Sequence, residues 1–222
     1  MAVSVVMLGA SGAVGGQALT QALALPDVAQ ITSLGRRVLP LSNPKLHQEV
    51  VDVFDPTSYA AHLAGHRAAI CTFGVGEPSK VSREEFLHVD KTAVLEFASA
   101  CKAAGVQHFS LLSSVGVSSR SRSYFLRSKG ELEDGLRWLE FERLSLFHPS
   151  IILTPTNRYG LSQGIILKVW PLLTPVLQGG LRKFRGVEVA KLGAAMARNV
   201  VRAGDGEEVL EWDGIMGLAG RK

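Results

Sequence analysis

Apolar, strand-like runs alternate with helix-like patterns along the first two thirds of the chain. A helix on a protein surface repeats apolar residues every three or four positions, whereas a strand buried on both faces is a short continuous apolar run. Strands are predicted at 3–8, 30–34, 49–53, 68–73, 109–114 and 144–148. Helices are predicted at 15–25, 56–63, 83–104, 124–140 and 187–202. This order predicts the α/β class, with a doubly wound, Rossmann-type parallel sheet.

The alternation weakens after Pro149. Residues 161–177 form an apolar stretch that Pro171 and Pro175 interrupt, and the last predicted helix follows it. We therefore predict a Rossmann domain at 1–156 and a small C-terminal substrate or lid region at 157–222, packed on the same domain. Such a region would lie over the carboxyl edge of the sheet, where folds of this type bind ligands.

Closely spaced glycines follow the first predicted strand, in the run VVMLGASGAVGG at 5–16. A strand, a glycine turn and a helix in this order form a phosphate-binding loop: the glycines allow a tight turn and a close backbone approach, and the helix start presents free N–H groups. The spacing is G-x-x-G-x-x-G, and the alternative is an ordinary tight turn. The predicted pyrophosphate-binding residues are Gly9, Ser11, Gly12, Ala13, Val14 and Gly15.

The end of the second predicted strand indicates which dinucleotide would bind. An NAD site usually carries an acidic residue there, whereas this strand ends in Leu34-Gly35-Arg36-Arg37. A guanidinium forms charge-assisted hydrogen bonds with a 2′-phosphate, so Arg36 and Arg37 favour NADP(H) over NAD(H). Two solvated arginines are the alternative.

Three further residues stand at strand ends on the predicted cofactor path. Asp52 is placed to accept a hydrogen bond from an adenine amino group, or to cap the turn that follows it. Phe73 and Gly74 end the fourth strand, where a small residue lets the cofactor pass, although Gly74 also suits a plain turn.

Composition narrows the function classes. Hydrophobic residues make up 46% and charged residues 20% of 222, as in ordinary globular proteins, and the net charge is +4. There is no run of five basic residues, so nucleic acid is not expected as a partner. Cys71 and Cys101 are too few for a disulfide framework and have no metal-ligand spacing. The chain enters a strand at once and has no apolar stretch long enough for a bilayer, so we expect no membrane insertion and a cytoplasmic location.

Several motifs in register resemble one known family. They are GASGAVG at 9–15, LGRR at 34–37, VVD at 50–52, AGVQHF at 104–109, LLSS at 111–114 and KGELE at 129–133. Together they resemble the Tat-interacting oxidoreductase-like proteins and their small bacterial relatives, atypical members of the short-chain dehydrogenase/reductase superfamily. The likeness covers most of the chain and weakens after about residue 157.

This resemblance implies NADPH binding and carbonyl reduction by a serine, a tyrosine and a lysine. In such a site the lysine lowers the tyrosine pKa and binds the nicotinamide ribose, the tyrosine is the general acid, and the serine orients the substrate oxygen. Lys129 aligns with the family lysine, and Ser114, after Ser113, ends strand five. The residue four before Lys129 is Phe125, however, and Tyr124 stands five before it.

That one-residue offset changes which helix face the phenol occupies. Positions four apart on a helix differ by about 40°, and positions five apart by about 140°. Either the helix begins after Tyr124 and the phenol turns inward, or the catalytic tyrosine is absent. A second departure is His148, where relatives commonly carry arginine; it is an alternative proton donor or a structural residue.

The remaining candidates keep more than one interpretation. Ser114 orients a substrate or satisfies backbone groups at the strand end, and Lys129 binds the cofactor or pairs with Glu133 on the surface. His62 and His66 have a spacing that suits a metal, but no third ligand is evident, so no metal is predicted. The apolar residues around Trp170 line a substrate pocket, form a lid, contact a homodimer or protein partner, or simply pack.

The leading hypothesis is an NADP(H)-dependent oxidoreductase that acts on a small carbonyl or its alcohol. Its predicted catalytic residues are Ser114, Tyr124 and Lys129. The alternative is an NADPH-binding regulatory or sensor protein without turnover, which Phe125 keeps open.

Overall fold

A parallel sheet of seven strands forms the centre of the computed structural model, which describes residues 2–155 and 177–220. Along the sheet the strand order is β3-β2-β1-β4-β5-β6-β9, and every neighbouring pair is parallel. These strands are β1 Val3–Leu8, β2 Val28–Gly35, β3 Leu46–Val50, β4 Ala68–Cys71, β5 His108–Leu112, β6 Arg143–Phe147 and β9 Gly206–Leu210. A separate short pair joins β7 Ile152–Leu153 to β8 Val187–Glu188. The predicted α/β class with a Rossmann-type parallel sheet is confirmed.

Helices cover both faces of this sheet, as the apolar runs of the strands require. The helices are α1 Ala13–Ala24, α2 Arg83–Leu87, α3 Ala93–Ala103, α4 Tyr124–Arg137, α5 Val189–Val201 and α6 Trp212–Ala219. One buried apolar cluster joins the sheet to α1, α5 and α6, and a second joins its other face to α3 and α4. No helix among the described residues is long and apolar enough to cross a membrane.

The structure differs from the predicted elements at four places. β3 begins and ends three residues earlier than the strand predicted at 49–53. Val51 and Val53, the apolar residues that suggested the later position, are buried in the segment that follows the strand. The predicted helix at 83–104 is interrupted by a π-helical turn, His88–Thr92. Residues 56–62 form two short 3₁₀ turns in place of one helix. β9 and α6 were not predicted.

The C-terminal part packs on the same core as the N-terminal part. Gly193 of α5 lies so close to α1 that a Cβ there would be 2.5 Å from the Gln17 Cβ. β9 extends the sheet beside β6, with Phe147 opposite Leu210. The predicted lid residues around Trp170 lie outside the described residues, so the lid stays a prediction.

A polar cluster is buried near the amino edge of the sheet, opposite the glycine loop. Its members are His108, Ser110, Arg143, Ser145, Asn199, Arg202 and Glu208. His108 Nε2 lies 2.8 Å from Ser145 Oγ, and Ser145 Oγ donates to Glu208 Oε1 at 2.7 Å. Burial lowers the pKa of His108 to about 3, and the Arg143 guanidinium acts in the same direction. Burial opposes the charge on Glu208, but hydrogen bonds from Ser145, Arg143 and Arg202 hold its pKa down at about 2.

Candidate functional site

The glycine loop is a tight turn between β1 and α1. Gly9 has φ +93°, a left-handed conformation that favours glycine, and its carbonyl accepts a hydrogen bond from the Gly12 N–H at 3.0 Å. A Cβ on Gly15 would overlap the Gly9 carbonyl and lie 2.5 Å from Thr72 Oγ1. Gly9 and Gly15 therefore bring α1 against the end of β4, which no other residue type would allow.

The first turn of α1 is open to a ligand. Gly12 is its N-cap and provides no side-chain acceptor, and no acidic side chain stands in the first turn. The helix start therefore presents N–H groups and the positive end of its dipole, an arrangement that binds anions. Gly12, Ala13 and Val14 line a cavity of about 560 Å³ at this edge of the sheet. The loop fits a pyrophosphate.

A second cavity lies on the other side of the same loop, at the end of β2. It measures about 330 Å³ and is lined by Ser11, Ser33, Leu34, Gly35, Arg36, Arg37 and Leu39. Both arginines are exposed, and no acidic side chain is among the described lining residues. The structure thus brings the two arginines together at the end of β2, and it places Ser11, which the sequence assigned to the pyrophosphate, beside them.

The 560 Å³ cavity, here called the cleft, collects polar groups from the ends of β4 and β5 and from α4. Among its lining residues are Phe73, Gly74, Ser113, Phe125 and Lys129. Ile151, Ile152 and Thr154 line it from the segment after β6. Ser114, the predicted substrate-orienting serine, is half-buried and is not among the described residues that line the cleft, whereas its neighbour Ser113 is.

Lys129 is held in the cleft by a buried carboxylate. Its Nζ lies 3.0 Å from Asp90 Oδ1, and the two side chains are 12% and 4% exposed. Asp90 Oδ2 accepts a hydrogen bond from the Val75 N–H at 2.7 Å, so one carboxylate joins the lysine to the loop after β4. A Cβ on Gly74 would lie 2.8 Å from Asp90 Oδ1, which explains the glycine at this position.

Phe125 and Tyr124 lie on different sides of the start of α4. Phe125 lines the cleft, and Lys129 Nζ is 5.8 Å from the centre of its ring. The Tyr124 hydroxyl donates to the Arg83 carbonyl at 2.8 Å, and its ring faces Phe86 in a neighbouring pocket. The helix begins at Tyr124, with Ser123 as its N-cap, so the phenol does not share the face of Lys129 in this conformation.

Ser113 joins a buried hydrogen-bonded group behind the cleft. Its Oγ donates to Glu133 Oε1, and the same oxygen lies 2.8 Å from His148 Nε2. Glu133 Oε2 is 3.6 Å from Arg137 Nη2. Glu133 therefore faces the protein interior. Lys129 pairs with Asp90 and not with Glu133, the surface partner that the sequence left as an alternative.

The other predicted site residues have simpler surroundings. Asp52 Oδ1 accepts a hydrogen bond from the Phe54 N–H at 2.9 Å, so this exposed carboxylate caps the turn after β3. Phe73 packs edge-on against Phe54 at 6.0 Å. His62 Nδ1 lies 3.8 Å from Glu49, whereas His66 Nε2 bonds to Thr32 Oγ1 at 2.9 Å. Within the described part of the chain, no group of three His, Cys, Asp or Glu side chains is arranged to hold a metal.

Sequence reasoning missed Asp90 and Glu133 as site residues. Each is an acidic residue on the otherwise apolar face of a predicted helix, and that mismatch is the signal that could have found them. Asp90 stands four residues after the buried Phe86 and four before the buried Val94. Glu133 stands between the buried Leu132 and Leu136.

Comparisons with known proteins agree with this geometry. Residues 9–141 match a family model described as NAD(P)H-binding. Protein HTATIP2 of Rattus norvegicus is 33% identical over 219 residues, covering 97% of this chain and 88% of its own. Protein FMP52, mitochondrial, of Debaryomyces hansenii is 29% identical over 214 residues, covering 93% and 92%.

Solved structures share the fold at low sequence identity. MoeE5 in complex with UDP-glucose and NAD matches with a TM-score of 0.71 at 17% identity, over 93% of this chain and 75% of that one. WbmH of Bordetella bronchiseptica in complex with NAD+ matches with a TM-score of 0.69 at 16% identity, over 96% and 76%. The family matches confirm the resemblance that the sequence motifs indicate: this chain belongs to the NAD(P)H-binding family and is a relative of protein HTATIP2.

Proposed function

We propose that this protein is an NADP(H)-dependent oxidoreductase of the atypical short-chain class, acting on a small carbonyl compound or the corresponding alcohol. The observation that carries the proposal is the position of Lys129. Its ammonium group lies in the same cleft as the open start of α1 and Ser113. A cation, a hydroxyl and an anion-binding helix start around one cavity suit a nicotinamide dinucleotide with a polar substrate beside it.

The choice of NADP(H) over NAD(H) is supported by the cavity at the end of β2. Arg36 and Arg37 line it together with Ser11, all three are exposed, and the described lining has no carboxylate that would repel a phosphate. Replacing both arginines with alanine should weaken NADPH binding about 100-fold or more, since two hydrogen bonds to a charged group are lost and each contributes about 1.5–3 kcal/mol. NADH binding should change less than about threefold. Calorimetry with the two cofactors measures both, and equal losses would refute the phosphate assignment.

Each group of the site has a proposed part in binding. The N–H groups at Gly12, Ala13 and Val14 would hold the pyrophosphate, and Lys129, kept in place by Asp90, would bind the nicotinamide ribose. Ser113, which lines the cleft in place of the predicted Ser114, would hold the substrate oxygen. The cofactor itself supplies reversible hydride transfer when bound.

A second candidate function is NADPH binding without turnover, as in a regulatory or sensor protein. It is favoured by one specific observation: Phe125 occupies the cleft beside Lys129, whereas the Tyr124 hydroxyl donates to Arg83 outside it. Tyr124 would have to leave that carbonyl to protonate a substrate. In this alternative the cleft would bind the cofactor but no substrate.

Steady-state assays separate the two candidates. The wild-type protein with NADPH and a panel of aldehydes, ketones and quinones is expected to oxidise NADPH. Binding of NADPH by calorimetry without turnover on the whole panel would favour the sensor. The Tyr124→Phe variant then identifies the acid: loss of turnover assigns the proton to Tyr124, and retained turnover assigns it to another group.

The cellular compartment stays a prediction. A cytoplasmic location rests on the sequence, whereas the fungal FMP52 relatives are named mitochondrial. Subcellular fractionation with antibody detection distinguishes the two.

A further inference from the structure

A chain of three hydrogen-bonded side chains leads from the cleft wall into the protein. Ser113 lines the cleft and donates to Glu133 Oε1, and His148 Nε2 contacts the same carboxylate oxygen at 2.8 Å. All three residues are less than one tenth exposed, at 7%, 3% and 7%. A substrate-facing hydroxyl is thus connected to a titratable ring through one buried carboxylate.

The fold places these groups on rigid elements. Ser113 follows β5 and His148 follows β6, the neighbouring strand, and the Ser113 N–H donates to the Phe147 carbonyl at 2.8 Å. Glu133 stands one turn after Lys129 on α4, so both face the strand ends. Hydroxyl, carboxylate and imidazole are held together by the sheet and the helix, not by a loop.

The charged groups around Glu133 are engaged with other partners. Arg137 Nη2 lies 3.6 Å from Glu133 Oε2, but the Arg137 guanidinium is bonded to Glu207 of β9 and to Asp134. Lys129 is paired with Asp90, and the Asp90 carboxylate also binds the Val75 N–H. The contact of Glu133 with Ser113 and His148 is therefore its closest polar contact, and it points toward the cleft.

A carbonyl reduction in this cleft needs one proton for each hydride. Phe125, which faces Lys129, has no proton to give, and the Tyr124 hydroxyl is bonded outside the cleft. Ser113 is the hydroxyl that lines the cavity from the end of β5. Serine alone is too weak an acid, so its proton must be replaced by a stronger donor behind it.

We propose that Ser113, Glu133 and His148 form a proton relay for carbonyl reduction in the cleft, an inference that rests on the proposed oxidoreductase function. A bound nicotinamide cofactor would supply the hydride to the carbonyl carbon, and the carbonyl oxygen would take the Ser113 hydroxyl proton. Ser113 regains a proton from Glu133, which receives the Nε2 proton of the His148 imidazolium. Neutral His148 is then protonated by water. One hydride and one proton convert C=O to CH–OH, and alcohol oxidation runs through the same groups in reverse.

The pH dependence of kcat tests the relay directly. Because the relay must hold one proton at the start of each turnover, wild-type kcat for reduction should fall about tenfold per pH unit on the alkaline side of its pH profile. The His148→Gln variant keeps an N–H donor to Glu133 but cannot release a proton. Its kcat should be about 100-fold lower and independent of pH, with KM within about threefold of wild type. Glu133→Gln should behave in the same way.

Matched variants separate the relay from general effects of mutation. His62→Gln and Glu131→Gln make the same chemical changes at half-exposed positions that pair with Glu49 and Lys91, and both should keep the wild-type pH profile. Ser113→Thr keeps a hydroxyl and should retain turnover, whereas Ser113→Ala should lose about 100-fold. This serine pair tests the proposal even if a change at the buried His148 prevents folding.

A spectroscopic measurement on the cofactor-free protein tests the hydrogen-bonded chain without turnover. The ¹H NMR resonance of the His148 Nε2 proton should lie downfield and move upfield in Glu133→Gln but not in Glu131→Gln. An unmoved resonance in Glu133→Gln would overturn the chain of contacts. Turnover by His148→Gln with an unchanged pH profile would overturn the relay alone, and wild-type protein that binds NADPH without turnover would overturn the relay and the proposed function together.

Discussion

Replacing Gly15 with alanine tests whether the glycine loop is built for close packing of α1. An added Cβ would overlap the Gly9 carbonyl and approach Thr72 Oγ1 to 2.5 Å, so the helix must move away from β4. Overpacking of this kind costs about 1–3 kcal/mol, against about 1 kcal/mol gained from the better helix propensity of alanine. Because the clash at Gly15 is with backbone, the cost lies near the upper end of that range and the net loss is about 2 kcal/mol, which for a chain of this length lowers Tm by about 4–8 °C.

Gly16→Ala is the matched control on the same helix. A Cβ there would be 3.4 Å from the Ala10 carbonyl, an ordinary contact, so the variant should gain about 0.5–1 kcal/mol and melt about 1–4 °C higher. Circular dichroism measures both transitions, and calorimetry with NADPH should show at least tenfold weaker binding for Gly15→Ala only. A Gly15→Ala protein as stable as wild type, or equal losses of affinity in both variants, would refute the packing argument.

Three further predictions concern the buried polar groups. Asp90→Asn keeps an acceptor for the Val75 N–H but leaves Lys129 without its carboxylate. Because breaking a buried ion pair costs about 3–5 kcal/mol, chemical denaturation should show a loss of stability of that order. Unchanged stability would show that the pair is not formed in solution. His108 takes up a proton in the unfolded chain below about pH 6.5, whereas in the folded protein it stays neutral until about pH 3. The free energy of unfolding should therefore fall by up to about 1.4 kcal/mol per pH unit as the pH drops from 6.5 toward 4.5. Urea titrations of wild type and His108→Gln test this, since the variant should lose that part of the pH dependence. Burial raises the pKa of the Cys71 thiol to about 12 and raises the pKa of the Cys101 thiol well above its ordinary value, so iodoacetamide at pH 8 should label neither thiol until the protein unfolds. Rapid labelling of the native protein would contradict their burial.

The elements that the sequence predicted well have local causes. β1 is a continuous apolar run, and Gly9 ends it with a conformation that other residues rarely adopt. The end of the second strand predicts a preference for NADP(H) because Arg36 and Arg37 stand where the Rossmann fold places the adenosine ribose. In these places composition and spacing alone determine the structure.

The elements that were missed depend on distant partners. β9 reads GEEVL, and its acidic residues suggest a loop until Glu207 meets Arg137 and Glu208 meets Arg143. The π-helical turn contains Asp90, whose contacts with Val75 and Lys129 come from other elements. Sequence periodicity carries no information on such pairings, since each residue's partner is 15 or more positions away.

The packing of α5 on α1 through Gly193 also has a consequence for biosynthesis. Ala18, Leu19 and Ala22 belong to the same buried cluster as Leu192 and Met196, so α1 leaves the ribosome well before α5, the helix that covers it. Translation proceeds at about 5–20 residues per second, which leaves that apolar stripe exposed for roughly ten seconds or more. A chain that ends before α5 would therefore leave this apolar surface of α1 exposed. Premature stop codons should yield aggregates and not a functional truncated protein.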